Sequence, residues 1–264
     1  MKNQRSSSLS MKLVARAPAW FACLSVLAIW QLATWAWDVS PALFPSPWLT
    51  ARRIVEQSAL LARNTWPTLL EAAVGLGSSV VVGIPLGIML AGRGALSRAL
   101  FPLVLGTQNI PKVALAPLLV VWFGFGWAPK FVLVFLITFF PIVITTVTGI
   151  RSVSNEMLEL AHICKMTRLQ RLRRLEFPFA LPMILSGVKV ATTMAVIASI
   201  VAEFVGSTEG LGFIIVQAQG IINTPLIFAA IVVVSGIGFL LYGLVGVIER
   251  LLIPWHVSQR RRNW

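Results

Sequence analysis

Four uncharged apolar runs constrain this chain more than any other feature of its sequence. They occupy residues 17–37, 72–92, 131–150 and 226–248. A helix needs about 20 mainly apolar residues to cross a bilayer, and within lipid only helices and closed barrels satisfy their backbone hydrogen bonds. With 57% hydrophobic and 12% charged residues, the composition is far from that of a soluble globular domain. The sequence predicts an all-α polytopic membrane protein.

Two further runs qualify as spans if a few ionisable residues are tolerated within them. These are residues 100–123, which carry Lys112, and residues 181–205, which carry Lys189 and Glu203. Residues 1–16 and 251–264 are predicted to be cytoplasmic tails, the second of them basic. Residues 17–250 are predicted to form one transmembrane domain. Its six expected helices lie at residues 17–37, 67–92, 99–123, 130–150, 181–205 and 226–249.

The net charge of +13 is distributed unevenly along these elements. If both termini are cytoplasmic and the spans alternate in direction, 17 of the 22 basic residues lie on the inner side. The five others are Arg52, Arg53, Arg63, Lys112 and Lys130. This asymmetry follows the positive-inside rule. The charge therefore indicates an orientation in the membrane and gives no reason to expect a nucleic-acid partner.

Residues 150–187 interrupt the apolar pattern with an amphipathic, basic stretch, predicted to lie on the cytoplasmic surface. Asn155 is predicted to cap a first helix, which breaks at Lys165–Met166. A second helix is predicted from Thr167, because Thr167 and Gln170 have the spacing of a capping box. Residues 151–178 of this stretch are predicted to form the cytoplasmic loop itself.

Two prolines, Pro178 and Pro182, are expected to limit helix continuity before the fifth span. A loop that only connects two spans would be less costly if it were short, since ordering each residue costs about 1–2 kcal/mol of backbone entropy. The length and order of this stretch therefore favour docking of a partner. Amphipathic surface helices also occur without partners, and this alternative stays open.

Residues 106–112 form a polar, proline-containing patch near the predicted middle of the third span. Placing an ammonium group at that depth costs about 2.5–3.5 kcal/mol of insertion free energy, so such a group usually has a function. Lys112, with Gln108 and Asn109, is therefore predicted to line a path for an anionic or polar solute. Alternatively, Lys112 lies nearer a span end and extends to water. Glu203, near the predicted outer end of span five, is either a gate-lining group or a structural partner for loop amides. The other ionisable residues of the spans, expected at membrane interfaces, are Glu71 and Lys189.

Three shorter features complete the predicted architecture. Residues 49–63 have the pattern of an amphipathic helix at the outer surface. Gly83 and Gly87 are spaced for close helix packing in lipid. The apolar residues 213–222 are too few to span and are predicted to form an interfacial or re-entrant piece.

Several motifs together resemble the permease subunits of bacterial ABC importers, in the branch associated with nitrate, sulfonate, taurine and similar small solutes. In the cytoplasmic stretch, Glu159-Leu-Ala161, the break that follows it and the later prolines resemble the EAA loop of that family. The similarity runs from about Thr65 to Arg250. Its other motifs are residues 106–118, Trp122-Phe-Gly-Phe-Gly126, Phe140-Pro141 and Gly210-Leu-Gly212.

The resemblance implies a type I ABC importer permease fold in the bacterial inner membrane and a transport subunit without catalytic residues. It implies three protein partners: a cytoplasmic subunit that binds and hydrolyses ATP with magnesium, an extracytoplasmic solute-binding protein and a second permease copy. No cofactor or metal is expected on this chain, which lacks a phosphate-loop motif. By position, the resemblance assigns ATPase coupling to Glu159, Leu160, Ala161, His162, Lys165, Thr167 and Arg168.

Lys165 departs from the family pattern, which usually has glycine at this position. Glycine takes a positive φ freely, whereas lysine there costs about 1 kcal/mol. The rival hypothesis is a self-sufficient channel or ion-driven carrier. It would explain the apolar spans and Lys112 but gives no reason for the ordered basic stretch.

Overall fold

The computed structural model describes residues 21–92 and 94–254, apart from the side chain of Leu96. Within these ranges the chain is helical with short connections and contains no strand, which confirms the all-α prediction. The predicted tail at residues 1–16 lies outside the described residues. The same holds for residues 255–264 of the second predicted tail. The helices are α1 (Phe21–Ala36), α2 (Pro47–Glu56), α3 (Ser58–Ala91), α4 (Ala95–Gly106), α5 (Ala116–Phe123), α6 (Trp127–Arg151), α7 (Asn155–Ile163), α8 (Arg168–Arg171), α9 (Phe177–Gly206), α10 (Leu211–Gly220) and α11 (Thr224–Leu252).

Four helical stretches are long and apolar enough to cross a membrane: α3, α6, the continuous stretch Arg168–Gly206 and α11. A fifth candidate is a broken span, in which Ser97–Asn109 and Lys112–Phe123 meet at a bend of 80°. The break lies at the polar patch that the sequence predicted. Since α1 is shorter than a full span within the described residues, the predicted count of six is not confirmed.

The prediction of one amphipathic helix over residues 49–63 is wrong. α2 ends at Glu56, and Gln57 has φ −106° and ψ 22°, outside the helical region. The next helix starts at Ser58 and runs without interruption into the second predicted span. The apolar residues at 60 and 61 therefore belong to α3, while α2 packs separately against α11.

The expectation that prolines limit the helix before the fifth span is also wrong. Pro178 lies just after the π-helical turn that precedes α9, inside the continuous helical stretch Arg168–Gly206. Pro182 lies inside α9. A π-helical turn, Leu172–Glu176, joins α8 to α9 without a break. Wider local winding of this kind is one way in which membrane helices re-satisfy backbone groups near proline.

The centre of the bundle is α6, which packs along both α3 and α9. Small residues allow this close approach, because a methyl group added to Gly87 would lie 2.6 Å from the Cβ of Thr146. Gly83 packs against Ile142 in the same way, which confirms the packing prediction for both glycines. α10 is a short helix in the region predicted at residues 213–222, and it packs against α9 and α11.

Candidate functional site

The predicted coupling region folds as two short helices, α7 and α8, joined by a turn; we call residues 155–171 the coupling segment. The cap of α7 is Ser154 and not Asn155, because the Ser154 hydroxyl accepts a hydrogen bond from the N–H of Met157. The backbone N–H of Glu156 and the Ser154 hydroxyl lower the pKa of the Glu156 carboxyl, which stays ionised beside the helix N-terminus. The capping box of α8 is confirmed, with reciprocal hydrogen bonds between Thr167 and Gln170.

The turn between α7 and α8 is built on Lys165, whose φ is +51°. The N–H of Met166 donates to the carbonyl of Ala161 at 3.0 Å, and the N–H of Lys165 donates to that of His162 at 2.9 Å. These two bonds form a Schellman motif, whose left-handed residue is usually glycine. Lysine therefore adopts the conformation that the family's glycine would provide, at a cost of about 1 kcal/mol.

The coupling segment turns most of its apolar side chains away from the bundle. Ala161 is only 3% exposed and is the single buried residue of α7. Leu160 is 58% exposed, Ile163 is 75% exposed and Leu169 is 57% exposed. The polar residues assigned to coupling are exposed as well: Glu159, His162, Lys165, Thr167 and Arg168. Contiguous exposed apolar side chains rimmed by polar ones are typical of a protein interaction surface.

The polar patch at the break of the fifth candidate span opens onto a cavity of about 470 Å³, which we call the lysine cavity. Gln108 and Lys112 line it together with Phe140, and the Lys112 ammonium lies 4.7 Å from the centroid of the Phe140 ring. Asn109 is exposed but does not line this cavity. The cavity therefore combines one cation and one amide with mainly apolar walls, as small-molecule sites commonly do.

Glu203 lies in a different place, in a buried cluster at the N-terminus of α10. Three successive N–H groups of that helix end are bound by side chains of α3 and α9. Asn64 Oδ1 accepts from Gly210, Thr68 Oγ1 accepts from Leu211, and Glu203 Oε2 accepts from Gly212, over 2.5–2.9 Å. Glu203 is 1% exposed. The structure does not bring it together with Gln108 and Lys112, and its contacts are those of a structural partner for loop amides.

The same cluster contains an ion pair that sequence reasoning missed. Lys130 Nζ lies 2.5 Å from Glu71 Oε1, and the two side chains are 6% and 1% exposed. Glu71 is thus enclosed by protein and paired with Lys130, while its expected position at the depth of a membrane interface stays a prediction. Lys189 pairs with Glu249 in a partly buried position. Glu71 and Lys130 are 59 residues apart in sequence, so no local pattern joins them.

A family model described as the binding-protein-dependent transport system inner membrane component matches residues 83–254. The riboflavin transport system permease protein RibX of Chloroflexus aurantiacus is 40% identical, over 88% of each chain. The formylaminopyrimidine transport permease protein ThiX of Halalkalibacterium halodurans is 34% identical, over 89% of this chain and 94% of that relative. The taurine transport system permease protein TauC of Escherichia coli is 28% identical, over 88% of this chain and 86% of that relative.

The fold also has a counterpart among solved structures. A chain of the MetNI methionine ABC transporter, in an inward facing conformation, matches with a TM-score of 0.66 and 22% identity, over 75% of this chain and 98% of that chain. This likeness shows the type I permease fold. The relatives are transport permeases and not enzymes, and they give no support to a self-sufficient channel or carrier. The family model matches residues 83–254, which are more than half of this chain. The chain therefore belongs to the family of binding-protein-dependent transport system inner membrane components, the permease subunits of ABC importers, in which the ATPase is a separate subunit.

Proposed function

We propose that this chain forms the membrane path of an ATP-driven importer for a small anionic or polar organic solute. An extracytoplasmic binding protein delivers the solute, and a separate ATPase docks on the coupling segment. Two copies of the chain meet around the path, and both termini lie in the cytoplasm of a bacterial cell, at its inner membrane. ATP and magnesium bind to the ATPase and not to this chain. The relatives are named for riboflavin, formylaminopyrimidine and taurine, all small polar organic molecules.

The observation that carries this proposal is the exposure of Leu160 and Ile163 on a capped, hydrogen-bonded helix. Enclosing a leucine-sized side chain at an interface contributes about 1.5–3 kcal/mol. Ala161 is buried beneath the exposed face of α7, and α8 continues through the π-helical turn into α9, which gives a force on this segment a path toward the spans. Glu159, His162, Lys165, Thr167 and Arg168 supply the polar rim of the docking surface.

Co-purification with the ATPase tests the docking surface. In a membrane extract that contains the whole importer, we expect Leu160→Ser with Ile163→Ser to weaken recovery of the ATPase at least about tenfold, because one lost apolar contact already corresponds to that factor. Glu159→Ala is expected to weaken it less. Val55→Ser is the matched control, since Val55 is 74% exposed on α2. Full recovery of the ATPase by the double variant would overturn the coupling assignment.

The lysine cavity is the proposed solute path. Lys112 supplies positive charge and Gln108 supplies amide hydrogen bonds, while the exposed Ile110 and Val113 offer the surface on which a second copy can close the cavity. Asn109 is exposed outside the cavity, where it is proposed to contact the solute on its way in or out. Glu203 acts from outside this cavity, by holding the N-terminus of α10 in place.

Solute uptake by the reconstituted importer tests the path. We expect Lys112→Ala to reduce uptake of an anionic solute and Lys112→Arg to retain more of it, since arginine preserves the charge. The binding protein and ATPase should be present in both cases, so that only the permease differs. Unchanged uptake by Lys112→Ala would remove this residue from the path.

A further inference from the structure

A second, larger cavity lies at the opposite end of the bundle from the buried cluster, with a volume of about 1080 Å³. It is an open cavity lined by the C-terminal ends of α3 and α6, the start of α4, and the two helices of the coupling segment. We call it the arginine cavity after the four basic residues in its lining, Arg98, Arg151, Arg168 and Arg171. Four of its lining residues belong to the coupling segment, including Arg168 of the docking surface, but neither coupling nor the solute path accounts for a basic cavity at this place.

Two of the four arginines are already neutralised or bound by the chain itself. Arg151 donates to the carbonyls of Leu90 and Ala91 at the end of α3, and its guanidinium lies 4.7 Å from the centroid of the Phe101 ring. Arg171 lies 2.8 Å from Glu176, the acidic residue of the lining. These contacts fix the shape of the cavity.

The other two, Arg98 and Arg168, are exposed and form no ion pair within the described residues. They come from different elements, α4 and α8, and both line the same cavity. With four arginines and one glutamate, the lining carries an excess of three positive charges. Such an excess, held in a concave site with low-dielectric walls, attracts an anion.

The kind of anion follows from the donors and from the floor of the cavity. Guanidinium groups bind phosphate oxygens in a planar, often bidentate geometry. The floor is apolar and includes Ile88, Ile150, Leu158 and Leu172, which suits the glycerol and first methylene groups of a lipid. Basic cavities between helices on the cytoplasmic side bind anionic headgroups.

We infer that the arginine cavity is a phosphate-binding site, filled by the headgroup of an anionic phospholipid or by a soluble phosphate anion, with Arg98 and Arg168 as its principal donors. The cytoplasmic position of the cavity rests on the proposed function, which places the coupling segment on that side. Because the site joins α3, α4 and α6 to the coupling segment, its occupant links the ATPase docking surface to the broken span.

The test compares lipid retention by the full-length chain, purified without the ATPase. After exchange into nanodiscs of equal parts phosphatidylglycerol and phosphatidylcholine, then detergent extraction, we expect phosphatidylglycerol to be enriched over phosphatidylcholine among the co-purified lipids. Arg98→Gln should reduce this enrichment about tenfold, since a charge-assisted hydrogen bond commonly contributes that factor. Arg98→Lys should retain part of it. Arg63→Gln, at an exposed residue near the other end of α3, is the charge-matched control.

A second arm distinguishes the two sources of phosphate. Inorganic phosphate is titrated against the chain in nanodiscs that contain only phosphatidylcholine, with binding measured for the same three variants and the unaltered chain. Saturable binding that Arg98→Gln weakens and Arg63→Gln does not would support a soluble anion as the occupant. Absence of both lipid enrichment and phosphate binding, or equal losses in Arg98→Gln and Arg63→Gln, would overturn the inference. The proposed function would survive that result if the ATPase still co-purifies.

Discussion

The two ends of this bundle differ in how far their side chains are buried and paired within the chain. At the N-terminus of α10, the chain itself supplies the partners of the buried cluster: Asn64, Thr68 and Glu203 bind three consecutive amides, and Lys130 pairs with Glu71, of which only Oε2 is buried without a hydrogen bond among the described residues. In the coupling segment, leucine and isoleucine side chains remain exposed beside polar groups. The polar groups of the first region are satisfied almost entirely within one chain, whereas the second has the composition of a surface that a partner covers.

Under the proposed function, this difference separates the part of the chain that resists movement from the part that transmits it. A helix N-terminus carries partial positive charge and unpaired N–H groups, which a carboxylate and neutral oxygens satisfy in the buried cluster. α10 is therefore fixed to α3 and α9. The coupling segment is joined to the same α9 through a π-helical turn. A push on α7 and α8 thus acts on the far end of a helix whose other end is anchored.

Removing the positive partner from the buried cluster is expected to have the largest effect on stability. Lys130→Met leaves Glu71 enclosed without its counter-charge, and breaking a buried ion pair in this way costs about 3–5 kcal/mol. We expect the purified full-length variant to lose its monodisperse elution peak at a clearly lower temperature than the unaltered chain. Heating followed by size-exclusion chromatography with tryptophan fluorescence measures this.

Two controls isolate the ion pair from the loss of charge as such. Arg63→Met removes a positive charge from an exposed residue of α3 and should have little effect. Combining Lys130→Met with Glu71→Gln removes both charges and should recover much of the lost stability, because pairs in contact are not additive. If Lys130→Met is as stable as Arg63→Met, the contrast between the two ends is wrong.

The buried cluster also shows why sequence reasoning reached only part of this structure. The capping box at Thr167 and Gln170 was predictable because both of its hydrogen bonds lie within four residues of chain. The span at α6 was predictable from a long uncharged run. The Lys130–Glu71 pair joins helices far apart in sequence. A single sequence shows two ionisable residues near span ends but not that they meet.

The local errors have equally specific causes. Ser154 and Asn155 are adjacent and both are good caps, so the pattern could not decide between them. The helix continues through Pro182 in α9, which packs closely along α6, and tertiary packing of this kind outweighs the intrinsic effect of proline. The two roles considered for Glu203 were equally compatible with its sequence position, and the hydrogen bond that it accepts from Gly212 favours the structural role.

A smaller effect is expected from filling the contact between α6 and α9, which lies between the two ends. A methyl group at Gly187 would lie 2.6 Å from the Cβ of Thr145, and overpacking of this kind costs about 1–3 kcal/mol. Gly187→Ala should therefore lower the temperature at which the chain loses its elution peak. This tests whether the rigidity of the buried cluster extends along α9 toward the coupling segment.

The matched control is Gly77→Ala on α3. Nothing lies within 4 Å of the methyl group that it adds, and alanine in a helix is favoured over glycine by about 1 kcal/mol. It should leave stability unchanged or raise it. Equal losses of stability in the two variants would show that a close contact at Gly187 is not what limits the packing of α9.

The smallest effect is expected at Lys165, where the coupling segment carries its own strain. Lys165→Gly keeps the φ of +51° and relieves about 1 kcal/mol of local strain, so the Schellman hydrogen bonds to Ala161 and His162 should persist. We expect uptake by the reconstituted importer to be largely unchanged, with thermal stability the same or slightly higher. Lys165→Val, which is β-branched and disfavours positive φ, should weaken ATPase recovery. A Lys165→Gly variant that assembles with its ATPase but does not transport would show that the ammonium group itself is needed, and that the turn transmits force through a charge contact as well as through its shape.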